Sequence, residues 1–230
     1  MKKKNVMLLT SIFILFLLNL NIGNNICKAE KNTSILKIYP SDDSYISHKN
    51  IYSNYGPSEN MIVRNDYGYA GSEEWGWDTL IKFDISSKLR GTQIISAKLC
   101  VYYSNNLYFN QTNRYLSLHR ITNQWNENSV NWDNQPTYSS YNITTSIPEE
   151  TDSYIKWDVT EDIKSFTNGI YNNYGWKITD ENKWDHLDIP EFHFKTKESN
   201  KTSYYPYLEV EILNQKPNAV SYTHLTLPTN

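Results

Sequence analysis

The sequence predicts an all-β protein, a jelly-roll-like β-sandwich with one short helix. Three observations carry the prediction. Short stretches alternate apolar and polar residues, turn formers separate them, and the chain is rich in side chains that suit a pleated sheet, with 19 Tyr and 7 Trp. Ten stretches show the period of two: residues 35–39, 43–47, 60–65, 79–85, 94–103, 115–121, 153–159, 174–179, 191–196 and 207–213.

Alternation also assigns faces, because successive side chains of a strand point to opposite sides. In 79–85, Ile81, Phe83 and Ile85 are assigned to the core and Leu80, Lys82 and Asp84 to the outside. In 94–103, Ala97, Leu99 and Val101 face inward and Lys98, Cys100 and Tyr102 outward. In 191–196, Phe192 and Phe194 oppose Glu191, His193 and Lys195. In 207–213, Leu208, Val210 and Ile212 oppose Tyr207, Glu209 and Glu211. Around His119, Arg120 and Ile121 the alternation weakens, which predicts a bulge or a strand end. One helix is expected over 161–168. Thr160 would cap it, Glu161 and Asp162 suit the positive end of its dipole, Ile163 and Phe166 would seat it, and Gly169 would close it.

The ends of the chain read differently. Lys2, Lys3 and Lys4 precede an apolar run from Val6 to Leu20, and Cys27-Lys28-Ala29 matches a cleavage site, so residues 1–29 are expected to be a secretory signal peptide. The run is short for a membrane span, and no span is expected after cleavage. The last stretch, KPNAVSYTHLTLPTN at 216–230, resembles a translated sequencing adaptor; further domains beyond Gln215 are an open expectation. Roughly 185 residues, 30–215, then form one domain large enough for a real core.

Removing the signal takes four lysines and no acid, so the net charge moves from −3 to −7. An acidic chain without clustered Lys or Arg is a poor partner for nucleic acid. Cys100 would be the only remaining cysteine, which excludes an internal disulfide and a cysteine zinc site. The histidines show no metal-binding spacing.

The specific strings are Asp43-Ser44-Tyr45-Ile46, Ser53-Asn54-Tyr55-Gly56, Met61-Ile62-Val63-Arg64-Asn65-Asp66, Leu80-Ile81-Lys82-Phe83-Asp84-Ile85, Ile95-Ser96-Ala97-Lys98-Leu99, the run from Trp125 to Pro136, and Trp157-Asp158-Val159-Thr160. In this order they resemble the DNRLRE domain, also called carbohydrate-binding module family 96, with relatives among the disaggregatase-related repeats. The resemblance spans about 36–213, and the W-x-E-x-S-V-x-W-x-N-Q-P string is its most specific part. It implies a β-sandwich on a secreted or surface protein. It also implies a polysaccharide or cell-wall glycan as ligand, alginate in some members. The acidic charge and Cys100 depart from what a binder of a polyanionic sugar would want.

Candidate residues follow from chemistry. Arg64 and Lys82 are expected to project from one outer face and hold carboxylates or hydroxyls of a glycan. Tyr67, Tyr69, Trp75 and Trp77, on or beside the 66–78 loop, would form a stacking platform. Trp125, Trp132 and Trp157 are read as structural, with Asn134-Gln135-Pro136 as a fixed turn. Asp42, Asp43, Asp84 and Asp158 are candidate ligands for a structural calcium ion, the one cofactor considered. The alternatives are an extracellular spacer or adhesion module without a sugar ligand, and a polysaccharide-degrading enzyme using carboxyls such as Glu73, Glu74 and Asp78.

Overall fold

A computed structural model describes residues 32–65, 76–107, 114–182 and 189–214. Two antiparallel sheets pack face to face. The first contains β1 (Thr33–Ile38), β3 (Asn60–Val63), β5 (Gln93–Leu107), β8 (Ser153–Asp158), β10 (Glu191–Lys195) and β11 (Tyr207–Leu213). The second contains β2 (Asp42–Ser47), β4 (Trp77–Lys82), β6 (Tyr115–Ile121), β7 (Tyr138–Ser146) and β9 (Trp176–Thr179), in the order β2-β4-β9-β6-β7. The expected all-β sandwich is what forms.

Strand β5 organises the first sheet. Its first half pairs with β11 along one edge and its far end with β10 along the same edge. Strand β8 takes the other edge, with Cys100 opposite Lys156 and Tyr102 opposite Tyr154. Strand β1 then lies outside β11. The core between the sheets holds the predicted inward residues, among them Ile81, Phe83, Leu99, Val101, Phe192, Phe194, Leu208 and Val210. Burying such side chains removes most of their apolar area from water, worth about 1.5–3 kcal/mol each.

Besides shifted strand ends, with β4 over Trp77–Lys82 instead of 79–85 and β5 running on to Leu107, five details differ from expectation. Strand β7 was not anticipated, because it is a polar edge strand with largely exposed side chains and leaves no hydrophobic period. Strand β9 starts at Trp176, two residues later than expected. The Tyr174 carbonyl accepts from the Trp125 indole N–H instead of a strand partner, and Gly175 adopts a φ of 82° against the Ile81 carbonyl. Leu80 faces outward yet is fully buried, in a second cluster with Ile46, Ile121, Trp125 and Val130. Helix α2 (Thr160–Thr167) begins one residue early, so the expected cap Thr160 is its first residue and Val159 stands at the N-cap without a side-chain bond; Asp158 Oδ1 accepts from the Thr160 N–H at 3.0 Å just before it. A single turn, α1 (Ser86–Leu89), adds to the one expected helix. The predicted irregularity near His119 is present as a register shift between His119 and Ile121. No helix among the described residues is long and apolar enough to cross a membrane.

Candidate functional site

The two outer faces of the sandwich have different surfaces. The face of the second sheet is sealed by the segment from Trp125 to Pro136. Trp125 is buried over Leu80, and Trp132 packs on the same cluster with its ring edge to His48. The Asn134 amide donates to the Ser129 carbonyl and the Gln135 amide to the Trp132 carbonyl, which fixes the expected turn. Lys177 is buried beneath this segment. Its Nζ pairs with Asp78 at 2.8 Å, donates to Gln135 Oε1 and lies 4.5 Å from the centre of the Tyr138 ring. Trp157, as expected, is core, with its indole N–H donating to the Leu116 carbonyl.

The predicted cations do not share a face. Arg64 bridges Trp77 at the start of β4, while Lys82 lies five residues further along and so projects to the opposite side. Each is committed to an acid: Arg64 to Glu191 at 3.3 Å, with its guanidinium 5.3 Å from the Trp77 ring, and Lys82 to Asp42 at 2.8 Å. Lys82 also lines an open cleft of about 430 Å³ with Ser41, Asp84, Arg90, Phe166 and Asn173. Tyr67, Tyr69 and Trp75, like Glu73 and Glu74, lie outside the described residues.

The outer face of the first sheet is different. Tyr102, Tyr154, Tyr204 and Tyr207 form one continuous run of ring contacts. Tyr204 stacks on Tyr102 at 4.2 Å, Tyr102 meets Tyr154 edge-on at 5.2 Å, and Tyr154 meets Tyr207 edge-on at 5.0 Å. The Tyr154 hydroxyl donates towards the Ser203 and Tyr205 carbonyls, fixing the 202–205 turn beside the sheet, and burial pushes this phenol up to about 12. Tyr205 in turn meets the ring of half-exposed Tyr39. Lys37 lies 4.3 Å over Tyr207, and Lys201 lies 5.1 Å over Tyr204. One row nearer the end of the sheet, Lys37, Glu209, Lys98 and Asp158 stand side by side across four strands, alternating in charge. Strand parity had already turned Tyr207, Glu209, Lys98 and Tyr102 outward. What it lacked was the register that sets β8 beside β5 and the turn that brings Tyr204 over the sheet. Cys100, also outward by parity, is buried under this layer, and burial raises its thiol pKa.

Of the four aspartates considered for calcium, Asp43 alone joins a carboxylate cluster among the described residues. Asp84 and Asp158 each accept, through Oδ1, the N–H and hydroxyl of the residue two ahead, and those bonds hold both carboxyls below the usual range. Asp42 is paired with Lys82. Asp43 is fully buried beside Glu127 and Glu198, and one carboxylate oxygen from each lies within 4.8 Å of the others. Its N–H donates to Glu127 Oε1, and its Oδ2 accepts from the Lys197 N–H, both at 3.0 Å. Lys197 Nζ donates to the Oε1 atoms of Glu127 and Glu198. Asn54 fixes the Glu127 backbone by donating to its carbonyl, and Gly56 is needed there because a Cβ would stand 2.7 Å from that oxygen. Burial pushes the Asp43 carboxyl well above the usual range. The sequence marked Glu127, inside the W-x-E string, but nothing in it connected this residue to Asp43 or Glu198.

No curated protein matches the chain. The model of carbohydrate-binding module family 96 matches residues 34–212, from β1 to β11 and therefore through both sheets and both candidate regions. The match covers most of the sequence, and the chain belongs to carbohydrate-binding module family 96.

Proposed function

We propose that the protein is a secreted, non-catalytic module that binds a hydroxyl-rich polysaccharide, such as a cell-wall glycan, across the tyrosine layer of the first sheet. The observation that carries this reading is the continuous run Tyr204-Tyr102-Tyr154-Tyr207, flanked by Lys37 and Lys201. Buried Tyr102 and Tyr207 support the layer, while the partly exposed rings of Tyr154 and Tyr204 and half-exposed Tyr39 offer apolar surface to the C–H faces of sugars, and the lysines beside them supply hydrogen-bond donors for hydroxyls. The rings are held by one another and by a sheet, so little order has to be gained on binding. The neighbouring row alternates lysine with acid, which suits an uncharged chain better than a polyanion. Family membership supports the sugar class. The non-catalytic reading is supported by the carboxylates: Asp43 is too deeply buried to reach a glycosidic bond, and Asp78 is tied to Lys177.

Retention on immobilised polysaccharides, neutral and acidic, tests the proposal. Retention on a neutral glycan without release of reducing sugar is the expected outcome. Retention on none would favour a spacer or adhesion role, and release of reducing sugar would overturn the non-catalytic reading.

A further inference from the structure

The cluster at Asp43 has an imbalance that its hydrogen bonds leave unresolved. Three segments distant in sequence meet there: β2, the loop after Trp125, and the turn after β10. They bring three carboxylates and one ammonium together, a formal charge of −2. The lysine side chain satisfies one oxygen each of Glu127 and Glu198, and its backbone N–H satisfies Asp43 Oδ2. Asp43 Oδ1 and Glu198 Oε2 are left buried with no hydrogen-bond partner, although Asp43 itself is fully buried. A carboxylate oxygen only accepts, so two such buried oxygens in a group of net negative charge call for a donor or a cation: a shared proton, a water or a metal ion.

We infer that Asp43, Glu127 and Glu198 form a calcium site that fastens these three segments together. Hard carboxylate oxygens with no nitrogen or sulfur donor among them select a hard cation over zinc or copper. Calcium–oxygen bonds of about 2.3–2.6 Å place ligands on opposite sides of the ion up to about 5 Å apart, and the three oxygens fall within 4.8 Å. A divalent ion also balances the formal charge of the group. Calcium tolerates irregular and incomplete protein coordination, with water in the open positions, where magnesium demands a near-ideal octahedron. Lys197, bonded to one oxygen each of Glu127 and Glu198, holds the two carboxylates together and competes with the ion for them. The site lies apart from the tyrosine layer: none of its residues belongs to the ring run or its flanking lysines.

The test uses the purified full chain, stripped with chelator and titrated with calcium chloride in the absence of sugar. Saturable binding of one calcium per chain is expected, with a rise in Tm of about 5–10 °C at saturation and a smaller rise with magnesium. The partly exposed Glu198→Gln change should abolish the saturable binding and the rise while leaving the β-sheet circular dichroism intact. Lys197→Met, which removes the competing internal cation, should tighten calcium binding by at least about fivefold. The inference is overturned if the stripped wild-type chain neither binds calcium nor gains stability from it, since a proton or a water then satisfies the carboxyls. Calcium binding that survives Glu198→Gln unchanged overturns it equally, by placing the ion elsewhere.

Discussion

One fold carries two outer faces, and the sequence treats them oppositely. On the second sheet, the Trp125–Pro136 segment folds over Leu80 and Lys177, so that an outward strand face becomes a second small core with an ion pair inside it. On the first sheet, outward residues of β1, β5, β8 and β11 remain as a layer of rings edged by exposed lysines. Aromatic side chains serve both faces. Where the ring lies beneath a loop and its N–H bonds to a carbonyl, as in Trp125, it contributes to stability. Where rings contact one another at the sheet surface, Tyr102 and Tyr207 are buried and Tyr154 and Tyr204 stay partly exposed beside the lysines.

This contrast can be broken by mutation, and the largest effect is expected on the sealed face. Trp125→Ala should cost about 3–5 kcal/mol in urea unfolding, because it empties the second core and leaves the Tyr174 carbonyl without its donor. Lys177→Met should cost about 3 kcal/mol by stranding Asp78, whereas Lys177→Met combined with Asp78→Leu should recover most of that loss. On the open face the order reverses. Tyr204→Ala should weaken polysaccharide binding about tenfold, or about 1.4 kcal/mol, by isothermal titration, and cost less than that in stability.

The smallest expected effect is a pH dependence at the Arg64 corner. Burial alone would raise the Glu191 carboxyl, but His193 at 2.7 Å and Arg64 at 3.3 Å hold it below its ordinary value. A carboxyl lowered in the folded state contributes stability that is complete above its unfolded value of about 4.3 and is lost as pH falls through the folded one. Unfolding midpoints measured from pH 6 down to pH 3 should therefore decline, and Glu191→Gln should flatten the acid end of that curve.

Most of the sandwich was legible because buried strands carry their own period. The paired Phe192 and Phe194, and Leu208 with Val210, announced an inward face before any partner was known. Strand β7 was not legible, since a polar edge strand buries too little to leave a pattern. Nor was the fate of outward residues: parity says which way Leu80 and Tyr102 point, but not that a loop covers one and a ring stacks on the other. For the same reason Arg64 and Lys82 were assigned to one free face, when the register commits each to an acid. Asp43 was one of four aspartates considered, and its neighbours Glu127 and Glu198 come from segments far along the chain, so only folding joins them.

The most direct measurement compares binding by two variants of the intact chain with solvent-accessible tyrosines removed from opposite faces. In the first, Tyr39→Ala and Tyr204→Ala are combined with Lys37→Ala; in the second, Tyr141→Ala alone alters exposed β7. With circular dichroism unchanged in both, the first should lose polysaccharide affinity by about a hundredfold and the second should bind as the parent does. Full affinity in the triple variant, or its loss in Tyr141→Ala, would contradict the assignment of sugar binding to the tyrosine layer.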